Sequence, residues 1–79
     1  MPQTTPQSLL DRITSDPAQC GGKPCIRGMR IRVADILEML AANLPTDQIL
    51  ADFPDLEAED IQASLQFAAQ RASHARLVA

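Results

Sequence analysis

The sequence predicts a mainly α domain: a short basic β-hairpin near the N-terminus, then three helices of which the middle one is short. Three observations lead there. Glycine and proline crowd the stretch from Ile13 to Val33, at Pro17, Gly21, Gly22, Pro24 and Gly28, which excludes a helix. Met29, Ile31 and Val33 alternate with Arg30 and Arg32, the period-two pattern of a half-buried strand. Beyond Val33 the apolar spacing becomes helical, and it is broken at Asn43-Leu44-Pro45 and again at Phe53-Pro54.

Residues 1–8 are rich in Pro, Gln and Thr and are expected to be disordered, leaving residues 9–79 as one domain. Within the basic segment, Arg27-Gly28 lies between Ile26 and Met29, where a tight reversal fits and Gly28 supplies a positive φ. Ile13-Thr14 is a candidate for a further short strand. Met29, Ile31 and Val33 then face the core, while Lys23, Arg27, Arg30 and Arg32 face outward.

Ile36, Leu37, Leu40, Ala41 and Leu44 form the apolar stripe of the first helix. Thr46 suits the N-cap of the second, with Asp47 in its first turn, and Ile49, Leu50 and Phe53 are its apolar positions. The third helix begins near Glu57. Leu56 and Ile61 take the two positions of a hydrophobic staple, and Asp60 takes the N3 position of a capping box. Ile61, Leu65, Ala68, Ala69 and Ala72 are expected to be buried, with Gln62, Gln66 and Gln70 opposite. Short connections make a tri-helical unit, a class that includes helix-turn-helix domains.

A chain of 79 residues buries only about 60% of its unfolded surface, and its aromatic residues are Phe53 and Phe67 alone. Dimerisation completes such a core, so a homodimer is expected. The first residues carry neither a basic region nor a long apolar run, so they do not read as a secretory signal, and no stretch reaches the length of a membrane span. A cytoplasmic protein follows. Cys20 and Cys25 lack the spacing of redox or zinc motifs and are read as two thiols, with no metal and no cofactor expected.

Enzyme readings find little support. Asp35 and Glu38 share a helix face, as solvated carboxylates commonly do, and His74 has no partner for nucleophilic catalysis. Gly21-Gly22-Lys23 lacks the spacing of a phosphate-binding loop. No aromatic lies in the basic segment to stack single-stranded bases. The protein is read as not an enzyme.

Charge is divided along the chain. Residues 1–33 hold five basic and two acidic side chains, a net +3, whereas residues 34–79 hold two basic and eight acidic, a net −6. Such asymmetry marks either a binding face or a basic element docked on acidic helices.

The order Gly21-Gly22-Lys23-Pro24, Ile26, Gly28, Arg30-Ile31, Val33, then Ile49-Leu50, Phe53-Pro54, Leu56, Asp60-Ile61, Ala63, Leu65 and Ala68 resembles the small bacterial proteins grouped as domain of unknown function 433. The likeness covers about residues 13 to 70. It departs at Met29, where that family usually has Thr or Ser, and at Asn43, where a Gly commonly ends the first helix; Asn also tolerates the left-handed conformation of such a cap. The resemblance implies a homeodomain-like or winged helix-turn-helix fold. It further implies an antitoxin-like regulator of a type II toxin–antitoxin pair, repressing its own operon and neutralising a toxin with a PIN-like ribonuclease domain.

The candidate contacts to operator DNA or toxin are Lys23, Arg27, Arg30 and Arg32, with Gln62 and Gln66 on the third helix. Glu57, Glu59 and Asp60 at the start of that helix would be repelled by phosphates, so the basic segment is the better grip on DNA. Gln62 and Gln66 are of the residue type that reads adenine edges, although a solvated glutamine face is the commoner arrangement and the favoured reading. Against a nuclease, Arg27, Arg30 or Arg32 would enter the cluster of metal-holding carboxylates. The internal alternative pairs these arginines with the chain's own acidic helices. A protein-interaction module with no DNA contact is the other functional reading.

Overall fold

Two short strands, β1 (Ile13–Thr14) and β2 (Cys25–Ile26), pair antiparallel with Ile13 opposite Ile26 and Thr14 opposite Cys25. Three helices follow: α1 (Val33–Ala41), α2 (Thr46–Asp52) and α3 (Ala58–His74). The computed structural model describes residues 9–18 and 20–74; the expectation of disorder over residues 1–8 lies outside them.

The reversal at Arg27-Gly28 forms. Both residues have positive φ, 44° and 71°, and the Met29 N–H donates to the Ile26 carbonyl at 2.7 Å. Positive φ at both central positions defines a type I′ turn, whose twist matches that of the strands it joins. The strand expected after it is mostly absent. Ile26 N–H reaches the Ile31 carbonyl at 2.9 Å, Val33 N–H reaches Pro24 at 3.0 Å, and Arg32 bridges Cys25. The chain therefore doubles back, but Met29 and Arg30 lie in a bend and Val33 opens α1. Val33 and Ile36, one helical turn apart, are both buried there, an arrangement that an extended Val33 would forfeit.

The helix ends follow local chemistry. Asn43 has φ 66°, its N–H donates to Leu40, and Leu44 N–H donates to Met39. This pair of bonds is a Schellman motif, with Asn in the place glycine usually takes. At the start of α2 the cap is Pro45 rather than Thr46, which is the first helical residue. Proline's restricted φ, here −64°, lets its carbonyl accept from Gln48 and Ile49 without a side-chain cap. At α3 the staple forms as expected, since Leu56 and Ile61 are buried in one cluster, and Asp60 Oδ2 accepts the Glu57 N–H at 2.8 Å.

Ile26, Val33, Ile36, Ile49, Leu56 and Ile61 make the core. Each helix and the β-turn contributes, so the core sits where all of them meet. The buried face of α3 differs from expectation: Leu65 is 43% exposed and Ala69 and Ala72 are exposed, while Asp60 and Ser64 are fully buried. The Ser64 hydroxyl donates to the Asp60 carbonyl one turn back, 2.9 Å away, which satisfies it without a distant partner. Asp60 turns inward because two arginines meet it there. Cys25, read from the sequence as a thiol, is buried and disulfide-bonded.

Asn43→Gly should leave stability unchanged or raise it by a few tenths of a kcal/mol, whereas Asn43→Val should cost about 1–2 kcal/mol, because a β-branched residue resists the left-handed region. Urea denaturation of the two variants checks this; equal midpoints would mean that the helix end rearranges.

Candidate partner and nucleic-acid interface

The basic segment reaches the acidic helices at one buried carboxylate. Arg27 clasps Asp60 with two bonds, Nε to Oδ1 at 3.0 Å and Nη2 to Oδ2 at 2.8 Å, and Nη2 also donates to the Asp55 carbonyl at 2.9 Å. Arg12, from just before β1, donates from Nη1 to Asp60 Oδ1 at 3.0 Å and to Glu57 Oε1 at 2.7 Å. With the Glu57 N–H, every acceptor direction of Asp60 is filled. Asp60 is 0% exposed, and no buried side-chain polar atom among the described residues lacks a partner.

Burial by itself would push the Asp60 carboxyl up. The charge-assisted bond from Arg27, the Glu57 N–H and the bond from Arg12 outweigh it and hold the carboxyl below the ordinary range. Arg27 sits in left-handed backbone, which costs a non-glycine residue about 1–2 kcal/mol. Its bidentate grip on a buried carboxylate is what sustains that conformation. The guanidinium expected to face outward is thus committed to the fold.

The remaining candidates separate into groups. Arg32 pairs with Asp35, Nε to Oδ2 at 3.1 Å and Nη2 to Oδ1 at 3.0 Å. Both side chains are substantially exposed, so water screens the pair and it is displaceable. Lys23 and Arg30 are exposed and make no ion pair among the described residues. Gln62 is exposed and Gln66 half-buried.

Two surface grooves border the basic segment. The larger, about 410 Å³, is lined by Arg30, Ile31, Glu38, Met39, Leu44 and Phe53. The smaller, about 200 Å³, brings Lys23 and Arg32 together with Arg71 over Val33, Leu37 and Phe67. Arg71 stacks on Phe67, its guanidinium carbon 5.5 Å from the ring centre. Sequence reasoning missed Arg71 and Arg12. The signal for Arg71 was its i,i+4 spacing from Phe67; Arg12 offered only a charge, since its partners lie more than forty residues away. Among the described residues no group of His, Cys, Asp and Glu is arranged to hold a metal ion.

Residues 13–68 match the family described as protein of unknown function (DUF433), a match that spans the turn, the Arg27–Asp60 pair and both grooves' walls up to Phe67. The chain belongs to the DUF433 family. A crystal structure of a DUF433 member from Anabaena variabilis superposes with a TM-score of 0.75 at 33% identity, covering 85% of this chain and 66% of that one. An uncharacterized protein of Sinorhizobium fredii, y4eO, is 36% identical over 56 residues, which are 71% of this chain and 25% of that protein. This DUF433 chain therefore spans a quarter of the length of that curated relative. Lys23, Arg27, Arg30, Arg32, Gln62 and Gln66 all lie inside the matched region; Arg12 and Arg71 lie outside it.

Asp60 binds its proton less readily folded than unfolded, so its stabilisation is complete above the unfolded carboxylate value, about 4, and is lost as pH falls through the lowered folded value. Asp60→Asn should cost about 3 kcal/mol at neutral pH. It should also flatten the loss of stability that the parent protein shows below about pH 4. Urea titrations across that range check both; an unchanged acid limb would remove Asp60 from the role.

Proposed function

We propose that this DUF433 protein is an antitoxin-like, DNA-binding regulator of a type II toxin–antitoxin pair. In this reading it works as a cytoplasmic homodimer, represses its own operon and neutralises a PIN-like ribonuclease toxin. The observation that carries the DNA contact is the pair of exposed cations, Lys23 and Arg30, which make no ion pair among the described residues while Arg27 is used internally. Arg32 lies beside them in a displaceable pair. A dimer presents the set twice, and local potential rather than net charge governs approach to a duplex.

The acidic start of α3 opposes DNA less than its composition suggests. Arg27 and Arg12 neutralise Asp60, and Arg12 also neutralises Glu57, so Glu59 is the one carboxylate in that turn without an ion pair among the described residues. A homeodomain-like use of α2 and α3, with Gln62 exposed for base edges, is thereby compatible with the phosphate backbone. The second reading, a protein-interaction module without DNA contact, is favoured by the half-buried Met39, Leu44 and Phe53 lining the larger groove.

The test is retardation of the gene's own upstream DNA at several salt concentrations. Lys23→Ala and Arg30→Ala should each flatten the dependence of log affinity on log salt by about one unit, the loss expected for one phosphate contact. Arg27→Ala should lower stability instead and leave the slope of the folded protein unchanged. Absence of retardation at low salt, with the neighbouring gene product still co-purifying, would favour the second reading.

A further inference from the structure

The smaller groove has a chemistry of its own. Its floor is apolar, built by Val33, Leu37 and Phe67, and its rim carries Lys23, Arg32 and Arg71. No acidic side chain among the described residues lines it, in a chain whose formal net charge is −3. Lys23 makes no ion pair among the described residues, and Arg32 uses Nε and Nη2 on Asp35 and leaves Nη1 uncommitted. Arg71 is held across the Phe67 ring, so its charge is fixed over the floor without being neutralised. Phe67 and Leu37 are half-buried, with surface still open to a ligand.

We propose that this groove docks an acidic segment of a partner protein, inserting one large apolar side chain between α1 and α3 while flanking carboxylates meet Lys23, Arg32 and Arg71. A cavity of about 200 Å³ accepts one leucine or phenylalanine side chain and not a folded surface. Lys23 and Arg71, with no acidic side chain in the lining, and Arg32, in a displaceable pair with Asp35, select for carboxylates on both sides of the anchor. A protein segment fits better than nucleic acid because the apolar floor of Val33, Leu37 and Phe67 offers no hydrogen-bond partner to a base edge, and Phe67 is the one aromatic in the lining on which a base could stack. Residues 75–79, Ala-Arg-Leu-Val-Ala, carry an arginine and no acidic side chain, so their composition does not supply the carboxylates this rim selects for. The inference deepens the partner-binding half of the proposed function and does not depend on the partner being a nuclease.

The experiment is an amide chemical-shift titration of the full chain with a capped peptide carrying a Leu-Phe pair flanked by glutamates. Shifts are expected at Val33, Leu37, Phe67 and Arg71. The exposed double variant Lys23→Glu, Arg71→Glu should weaken binding at least about tenfold, and a peptide with lysines in place of the glutamates should recover it. Leu37→Ala should weaken binding too, but the rim variant carries the test, because it leaves the core intact. The proposal is overturned if the peptide shifts other residues or none. It is overturned as well if the rim variant binds the acidic peptide unchanged, or if an oligothymidine occupies the groove and displaces the peptide. Failure here with the neighbouring gene product still co-purifying would refute the groove and leave the toxin–antitoxin reading standing; a working groove with no such complex would do the reverse.

Discussion

The fold turns on one buried carboxylate. Asp60 is removed from water at the start of α3, and an isolated carboxylate there would be costly enough to force protonation or unfolding. Arg27 and Arg12 prevent that by arriving from two separate points of the N-terminal segment. Three structural facts depend on the same contact: the left-handed backbone at Arg27, the attachment of the small β-sheet to the helices, and the rotation of α3 that places Ser64 inside and Leu65 outside. A bidentate guanidinium suits the task, because its planar fork fixes direction as well as charge.

The contact also divides the basic segment by role. Arginines that look equivalent in sequence are not equivalent in space. Arg27 is structural, Arg32 rests in an exposed and weak pair, and Lys23 and Arg30 stay available. Neutralising Asp60 has a second effect at a distance from the first, since it lowers the negative field at the N-terminal turn of α3. In a protein with a marginal core, a single interaction that joins sheet to helix and tunes the surface potential is efficient, and it accounts for Arg12 and Arg27 among the basic residues of the N-terminal segment.

The apolar surface shows a related economy. Six buried side chains form the core, and the larger hydrophobic residues around it, including Met39, Leu44, Phe53 and Phe67, are only half-buried. They line the walls of both grooves, so the material that completes the core also furnishes the surfaces on which a partner or a second copy would lie.

Much of this was legible from the chain alone where the cause is local. Positive φ at Gly28, the reversal at Arg27-Gly28, the left-handed end at Asn43, the Leu56–Ile61 staple and the capping role of Asp60 all depend on neighbours within about five residues. Local rules misplaced only small steps, such as the cap at Pro45 and the strand that gives way to helix at Val33. The sequence by itself determined the element order, the turn chemistry and the polarity of charge. Only the tertiary structure decided which arginine meets which acid, which face of α3 is buried and that Arg71 joins Lys23 and Arg32. The Arg27–Asp60 and Arg12–Asp60 pairs and the approach of Arg71 to Lys23 and Arg32 link residues more than thirty positions apart, and a charge in a sequence carries no record of the direction in which its side chain will close.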